Sequence, residues 1–164
     1  MATYSIQQGK HRAWPFRFGI YLFKKKVRYR VAFDQSCKYE LPGNDQQDIN
    51  KLFGIGYFPS HHKESARFGW VYNPDINRIE LYAYCYVNGK RISDLITTVP
   101  LHQSFVLQLN IASDKYSFTV YKESFEVQTI IQHNNKRKWS FPLGVYFGGN
   151  QPAPHKITIE LKKA

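Results

Sequence analysis

Three tyrosines, Tyr82, Tyr84 and Tyr86, stand at i, i+2 and i+4 within the run Arg78 to Val87. In an extended chain alternate residues share a face, so these rings form one stripe opposite Ile79, Leu81, Ala83, Cys85 and Val87. A tyrosine ring can stack on the apolar face of a sugar while its hydroxyl makes a hydrogen bond. Tyrosine is also a favoured strand residue, so a stripe covered by a loop is the alternative. A second cluster runs from Phe58 to Trp70 and holds His61, His62, Glu64, Arg67 and Trp70. A guanidinium such as Arg67 can fork onto a carboxylate or phosphate. In a strand, Arg67 and Gly69 face away from Phe68 and Trp70. Adjacent histidines diverge on an extended chain and no third ligand is evident, so no metal site is expected. A solvated polar loop is the plain alternative for this segment.

Other chemistries lack their residues. No two acidic side chains recur at i, i+2 on one strand face, as a paired-carboxylate hydrolase would want; Glu64, Asp75 and Glu80 are scattered. No glycine loop leads into a helix to cradle phosphate, and there is no GxSxG elbow or zinc-protease helix. Gly148-Gly149 precedes a proline-rich turn and serves a backbone bend. No catalytic residue and no cofactor are assigned.

The elements that must position the candidates are strands. Val27, Tyr29, Val31 and Phe33 alternate with Lys26, Arg28 and Arg30. Upstream, Trp14, Phe16, Phe18, Ile20 and Leu22 alternate with Arg17, Gly19 and Tyr21, which predicts a long strand bent at Gly19. Asn88-Gly89 predicts a type I′ hairpin turn between Arg78–Val87 and a returning strand over 90–99. The turn 72–78 joins this hairpin to a strand over 66–72, giving a three-stranded meander. Further strands are predicted over 104–110, 116–121, 125–132, 143–147 and 156–161. Only Asp45–Phe53 reads as helix, about two turns with Asn44 or Asp45 as N-cap. Many short strands with turn signals between them predict an all-β sandwich or barrel, and no linker divides residues 1–164.

The 164 residues suffice for one buried core, and aromatics reach 16% of the chain. No apolar run approaches the roughly 20 residues of a membrane helix. The formal charge of +11 suits a polyanionic partner, whether nucleic acid, acidic glycan or an anionic membrane face. It is spread over Lys24-Lys25-Lys26, Arg28, Arg30, Lys136-Arg137-Lys138 and Lys162-Lys163. Nucleic acid is disfavoured, because the strand after Lys24 puts its charges on one face and Tyr29 on the other. Cys37 and Cys85 lack metal-ligand spacing, and Cys85 falls on an apolar face as a small buried residue; whether the two pair is left open. The first residues lack the apolar core of a secretory signal, so a cytoplasmic location is expected.

The run Val145-Tyr146-Phe147-Gly148-Gly149-Asn150-Gln151-Pro152-Ala153-Pro154-His155, followed by Ile157-Thr158-Ile159, resembles the closing strands of concanavalin A-like jelly rolls. That superfamily includes lectins, laminin G modules, glycoside hydrolases and polysaccharide lyases. The resemblance implies a two-sheet antiparallel jelly roll with a glycan groove on its concave sheet face. Lyases of the alginate type on this fold use an Arg-rich strand, a Gln/His pair and a C-terminal Tyr. Arg78-Ile79-Glu80-Leu81, Gln132-His133 and Tyr146 follow that order, but the middle motif lacks its intervening apolar residue and the last lacks its Lys. The expectation is therefore a non-catalytic module binding a neutral or acidic carbohydrate. Tyr82, Tyr84 and Tyr86 would be its platform, with Arg67, His62 and Asn150 donating from the rim. The alternative is a structural module that meets a protein partner or its own copy through the aromatic face.

Overall fold

The alternating pattern becomes two stacked antiparallel sheets. The protein is described by a computed structural model covering residues 2–16 and 18–164. Among the described residues the strands are β1 Ala2–Ile6, β2 Ala13–Trp14, β3 Tyr21–Leu22, β4 Lys26–Phe33, β5 Asn50–Tyr57, β6 Ser65–Asn73 and β7 Arg78–Val87. They continue as β8 Lys90–Val99, β9 Ser104–Ile111, β10 Lys115–Tyr121, β11 Glu126–Gln132, β12 Trp139–Leu143 and β13 Ile157–Lys163. One sheet has the order β11-β10-β9-β4-β13-β1-β2 and the other β3-β12-β5-β6-β7-β8. Strand β4 lies between β9 and β13, and β12 between β3 and β5. These crossings between sequence-distant strands make the sandwich a jelly roll.

The inner faces bury one apolar cluster. Phe33, Leu107, Phe118 and Ile159 enter it from the seven-stranded sheet, and Phe53, Phe68, Trp70 and Leu81 from the six-stranded sheet. The meander β6-β7-β8 keeps the expected boundaries to within a residue. Asn88 and Gly89 both have positive φ, 51° and 79°, as a type I′ turn requires. Cys37 and Cys85 are buried and unpaired. Burial raises both thiol pKa values, so these side chains act as neutral core atoms.

Three local expectations are corrected. Asp45–Phe53 is not a helix: a 3-10 turn spans Gly43–Gln47, and β5 begins at Asn50. Gln46 holds the turn against the sheet, accepting from Leu41 N–H (2.7 Å) and donating to the carbonyls of Tyr39 (3.2 Å) and Tyr72 (2.8 Å). These tertiary bonds outweigh a weak helical propensity. The run Trp14–Leu22 is not one strand, since β2 and β3 lie in different sheets and the segment between them crosses from one to the other; Arg17 lies outside the described residues. Its apolar side chains point outward, with Trp14 68%, Phe18 84% and Ile20 65% exposed. The strand expected over 143–147 ends at Leu143 and resumes only as a bridge at Tyr146, which faces Lys51.

Strand β5 is buried along its whole length because both of its faces are covered. Phe53, Ile55 and Tyr57 enter the core, while Lys51, Gly54 and Gly56 face outward. Gly54 has no room for a side chain. A Cβ there would lie 2.0 Å from the Ala66 carbonyl oxygen and 2.8 Å from Arg67 Cγ. The variant Gly54→Ala is predicted to lose about 3 kcal/mol in denaturant unfolding, because the backbones of β5 and β6 must separate to admit the methyl group.

Candidate functional site

A cleft of about 640 Å³ opens on the outer face of the six-stranded sheet. Register places its floor. Gly54, Arg67, Tyr84 and Ser93 are opposed across β5, β6, β7 and β8, and the neighbouring row is Gly56, Ser65, Tyr86 and Arg91. A bulge in β5 between Lys51 and Phe53 sets Lys51 against Gly69. The glycines keep the floor low, and Lys51, Arg67 and Tyr84 rise from it.

The two cations share one ring. Lys51 Nζ is 5.0 Å from the Tyr84 ring centroid and Arg67 Cζ is 5.1 Å from the same centroid. Lys51 Nζ also lies 5.7 Å from the Tyr146 ring and donates to the Gly148 carbonyl at 3.1 Å. Both cations are buried, with 9% of Lys51 and 7% of Arg67 exposed. Neither has a carboxylate within ion-pair distance among the described residues, and Arg67 Nε has no hydrogen-bond partner. Burial, then the nearby Arg67 charge, pulls the Lys51 pKa down to about 8, with Asp48 opposing the fall. The sign follows from an unfolded value of 10.5. At neutral pH the folded state carries an uncomfortable ammonium, and the penalty fades as pH rises from about 8 toward 10.5. Burial also lowers the Arg67 pKa. Burial and its neighbour Tyr86 raise the Tyr84 pKa, so the phenol stays protonated.

The walls come from three segments. Tyr146 is held beside β5 by reciprocal backbone bonds with Lys51, 2.8 and 2.9 Å, and stacks on His11 at 5.3 Å. Asn50, fully buried, donates to the Tyr39 hydroxyl (2.8 Å) and accepts the Gly148 N–H, which fixes the loop after Tyr146. Phe16, Phe18 and Phe141 supply apolar wall, and Arg12 a further cation. Opposite stands the loop with His61 and His62, whose rings lie 4.1 Å apart. That loop is anchored from behind by Glu64, which is fully buried. Glu64 accepts from the Tyr116 hydroxyl at 2.8 Å and the Asn88 N–H at 3.3 Å, with Arg137 3.9 Å away.

Of the residues named from sequence, Tyr84, Arg67 and His62 line the cleft together. Tyr86 stands behind them, edge-on to His62 (5.2 Å) and Tyr84 (6.0 Å). Tyr82 donates to Glu80 at 2.6 Å and is not among the lining residues. Asn150 lies exposed beyond Gly149, its N–H bonded to Asp48 Oδ2 at 3.2 Å. The lyase-type set does not converge. Tyr146 is in the cleft, whereas His133 stacks on Tyr116 at 3.9 Å, and Arg78 starts β7 opposite Asn73. Lys51 escaped the sequence reading because a helix was expected there. The alternation Phe53, Ile55, Tyr57 against Gly54 and Gly56 was the available signal for a strand.

The sequence matches no family model and no curated protein. Solved structures are similar in fold. An alginate lyase from Klebsiella pneumoniae superposes with TM-score 0.64 at 12% identity, over 85% of this chain and 59% of that one. The chain thus spans about three fifths of that enzyme's length. A second alginate lyase gives 0.58 at 10% identity, over 98% and 72%. A Bacteroides ovatus mixed-linkage glucan protein of glycoside hydrolase family 16 gives 0.52 at 5%, over 97% and 77%. The shared property is the jelly roll.

His61 supplies a check on the site's electrostatics. Burial first, then Arg67 and the other cations, lower its pKa to about 4. The unfolded imidazole titrates near 6.5, so the unfolded chain takes the proton first and stability falls as pH drops from about 6.5 to about 4. A ring-proton NMR titration is expected to place the His61 midpoint near pH 4 and to show it rising in Arg67→Gln.

Proposed function

We propose that the protein is a carbohydrate-binding module whose cleft takes an acidic glycan, without turnover. The observation that carries this is the pair Lys51 and Arg67, buried on the ring of Tyr84 with no carboxylate within ion-pair distance among the described residues. A buried cation without a counter-ion is costly, and an entering uronate carboxylate would offset that cost while Arg67 Nε gains an acceptor. Tyr146, Phe16 and Phe141 offer ring faces to the sugars. The concanavalin A-like resemblance of the C-terminal run supports a glycan ligand, as does the likeness to two alginate lyases and a mixed-linkage glucan protein. Tyr84, Arg67 and His62 belong to this binding surface, while Tyr82, Tyr86 and Asn150 border it.

Non-catalytic binding is preferred over hydrolysis because none of the lining residues is Asp or Glu, so a pair of carboxylates is missing from this cleft. Calorimetric titration with an oligouronate and with a neutral oligosaccharide of equal length tests the proposal. The oligouronate is expected to bind and the neutral chain not to. Lys51→Met should weaken affinity at least tenfold, about 1.4 kcal/mol. Affinity should also fall as pH rises through about 8, where free Lys51 loses its charge. Equal affinity for the two sugars would contradict the acidic-ligand reading. The absorbance of an unsaturated uronate, growing during the titration, would contradict the absence of turnover.

A further inference from the structure

The edge of the six-stranded sheet carries a second feature that the cleft does not use. Leu22 on β3 and Trp139 on β12 are directly paired, and 51% and 54% of them are exposed. Ile20 and Phe23 flank Leu22 in the chain and are 65% and 59% exposed. Clustered apolar side chains of this size in water mark a surface that something covers. Cations border the cluster on both sides. Lys24-Lys25-Lys26 follows Phe23 directly, and Lys136-Arg137-Lys138 leads directly into Trp139. Lys138 Nζ lies 5.6 Å from the Phe23 ring, and Lys24 Nζ lies 4.6 Å from the Tyr21 ring. Arg137 is drawn toward Glu64, but Lys25, Lys26, Lys136 and Lys138 are exposed. Neither segment, 18–26 or 136–142, contains an acidic residue.

We propose that this edge docks on the surface of an anionic lipid bilayer. Ile20, Leu22, Phe23 and Trp139 enter the interfacial layer, where aromatic rings are favoured, and the flanking lysines face the anionic headgroups. Charge selects this occupant over a second copy of the chain. An isologous dimer on this edge would bring two sets of the same lysines together, on molecules that each carry +11. Among the described residues no helix is long and apolar enough to cross a membrane.

Co-sedimentation with vesicles of phosphatidylcholine alone, or mixed with phosphatidylserine, tests the proposal. The protein is expected to bind the mixed vesicles, with a blue shift of tryptophan emission, and to leave pure phosphatidylcholine largely unbound. Leu22→Ser/Phe23→Ser and, separately, Lys25→Gln/Lys26→Gln should each lower partitioning roughly tenfold or more, at exposed positions that leave the core intact. Lys51→Met should bind vesicles as the unaltered protein does, which keeps this result separate from that of the cleft. Failure to bind mixed vesicles would overturn the proposal. So would binding undiminished by Leu22→Ser/Phe23→Ser, which would leave charge alone, or a lipid-free dimer abolished by those same substitutions, which would make a second copy the occupant.

Discussion

Two buried cations with no carboxylate in ion-pair reach among the described residues, set against one tyrosine ring, are the constraint around which this site is arranged. Lys51 and Arg67 each lie about 5 Å from the Tyr84 centroid, and both are more than nine-tenths buried. A cation–π contact returns only part of the lost hydration. Nothing in the hydrophobic core asks for these charges. They are a cost the fold bears at its outer face, and such local costs are characteristic of sites kept for a ligand.

The surrounding structure is what makes that cost tolerable. Gly54 leaves room for the Arg67 side chain, Gly56 for His61 and the Phe141 ring, and Gly69 for Ile49. Asn50 and the paired backbones of Lys51 and Tyr146 fix one wall, and Glu64 fixes the loop that makes the other. Each anchor is a buried polar group with its partners supplied, in contrast to Arg67 Nε. Trp70 Nε1, His133 Nε2 and Ser140 Oγ are also buried without a hydrogen-bond partner, but of the described residues with such atoms Arg67 is the one that lines the cleft. Burial, reinforced by repulsion from Arg67 and the other nearby cations, also explains why His61 stays neutral in mild acid.

Much of the fold was legible because half-buried strands write period-two patterns. The hairpin around Asn88-Gly89 and strands β6 to β10 could be placed from alternation and turn residues alone. Failures came where that pattern is absent. Strand β5 is covered on both faces, so Asn50–Tyr57 does not alternate between polar and apolar, and the helix expected over Asp45–Phe53 ran into its first four residues. The Trp14–Leu22 run alternates well, yet it crosses between sheets and exposes its aromatics, because alternation reports which residues share a face and not what covers it. The site was half visible. The tyrosine stripe and Arg67 stood on a recognisable meander, but Lys51 joins them through β5, whose first residues were expected to be helical, and Tyr146 only through its long-range bridge to Lys51. Tyr82, by contrast, is engaged with Glu80, its same-face neighbour at i−2 on β7.

The most direct measurement is the unfolding free energy of the protein and of Arg67→Met, each with and without an acidic oligosaccharide. Methionine keeps much of the side-chain volume and removes the charge. If Arg67 is a buried charge awaiting an anion, the variant will be as stable as the parent or more so, and only the parent will gain stability from the ligand. A loss of about 3 kcal/mol in the ligand-free variant, the size expected when one partner of a satisfied buried pair is removed, together with ligand stabilisation equal to the parent's, would contradict it.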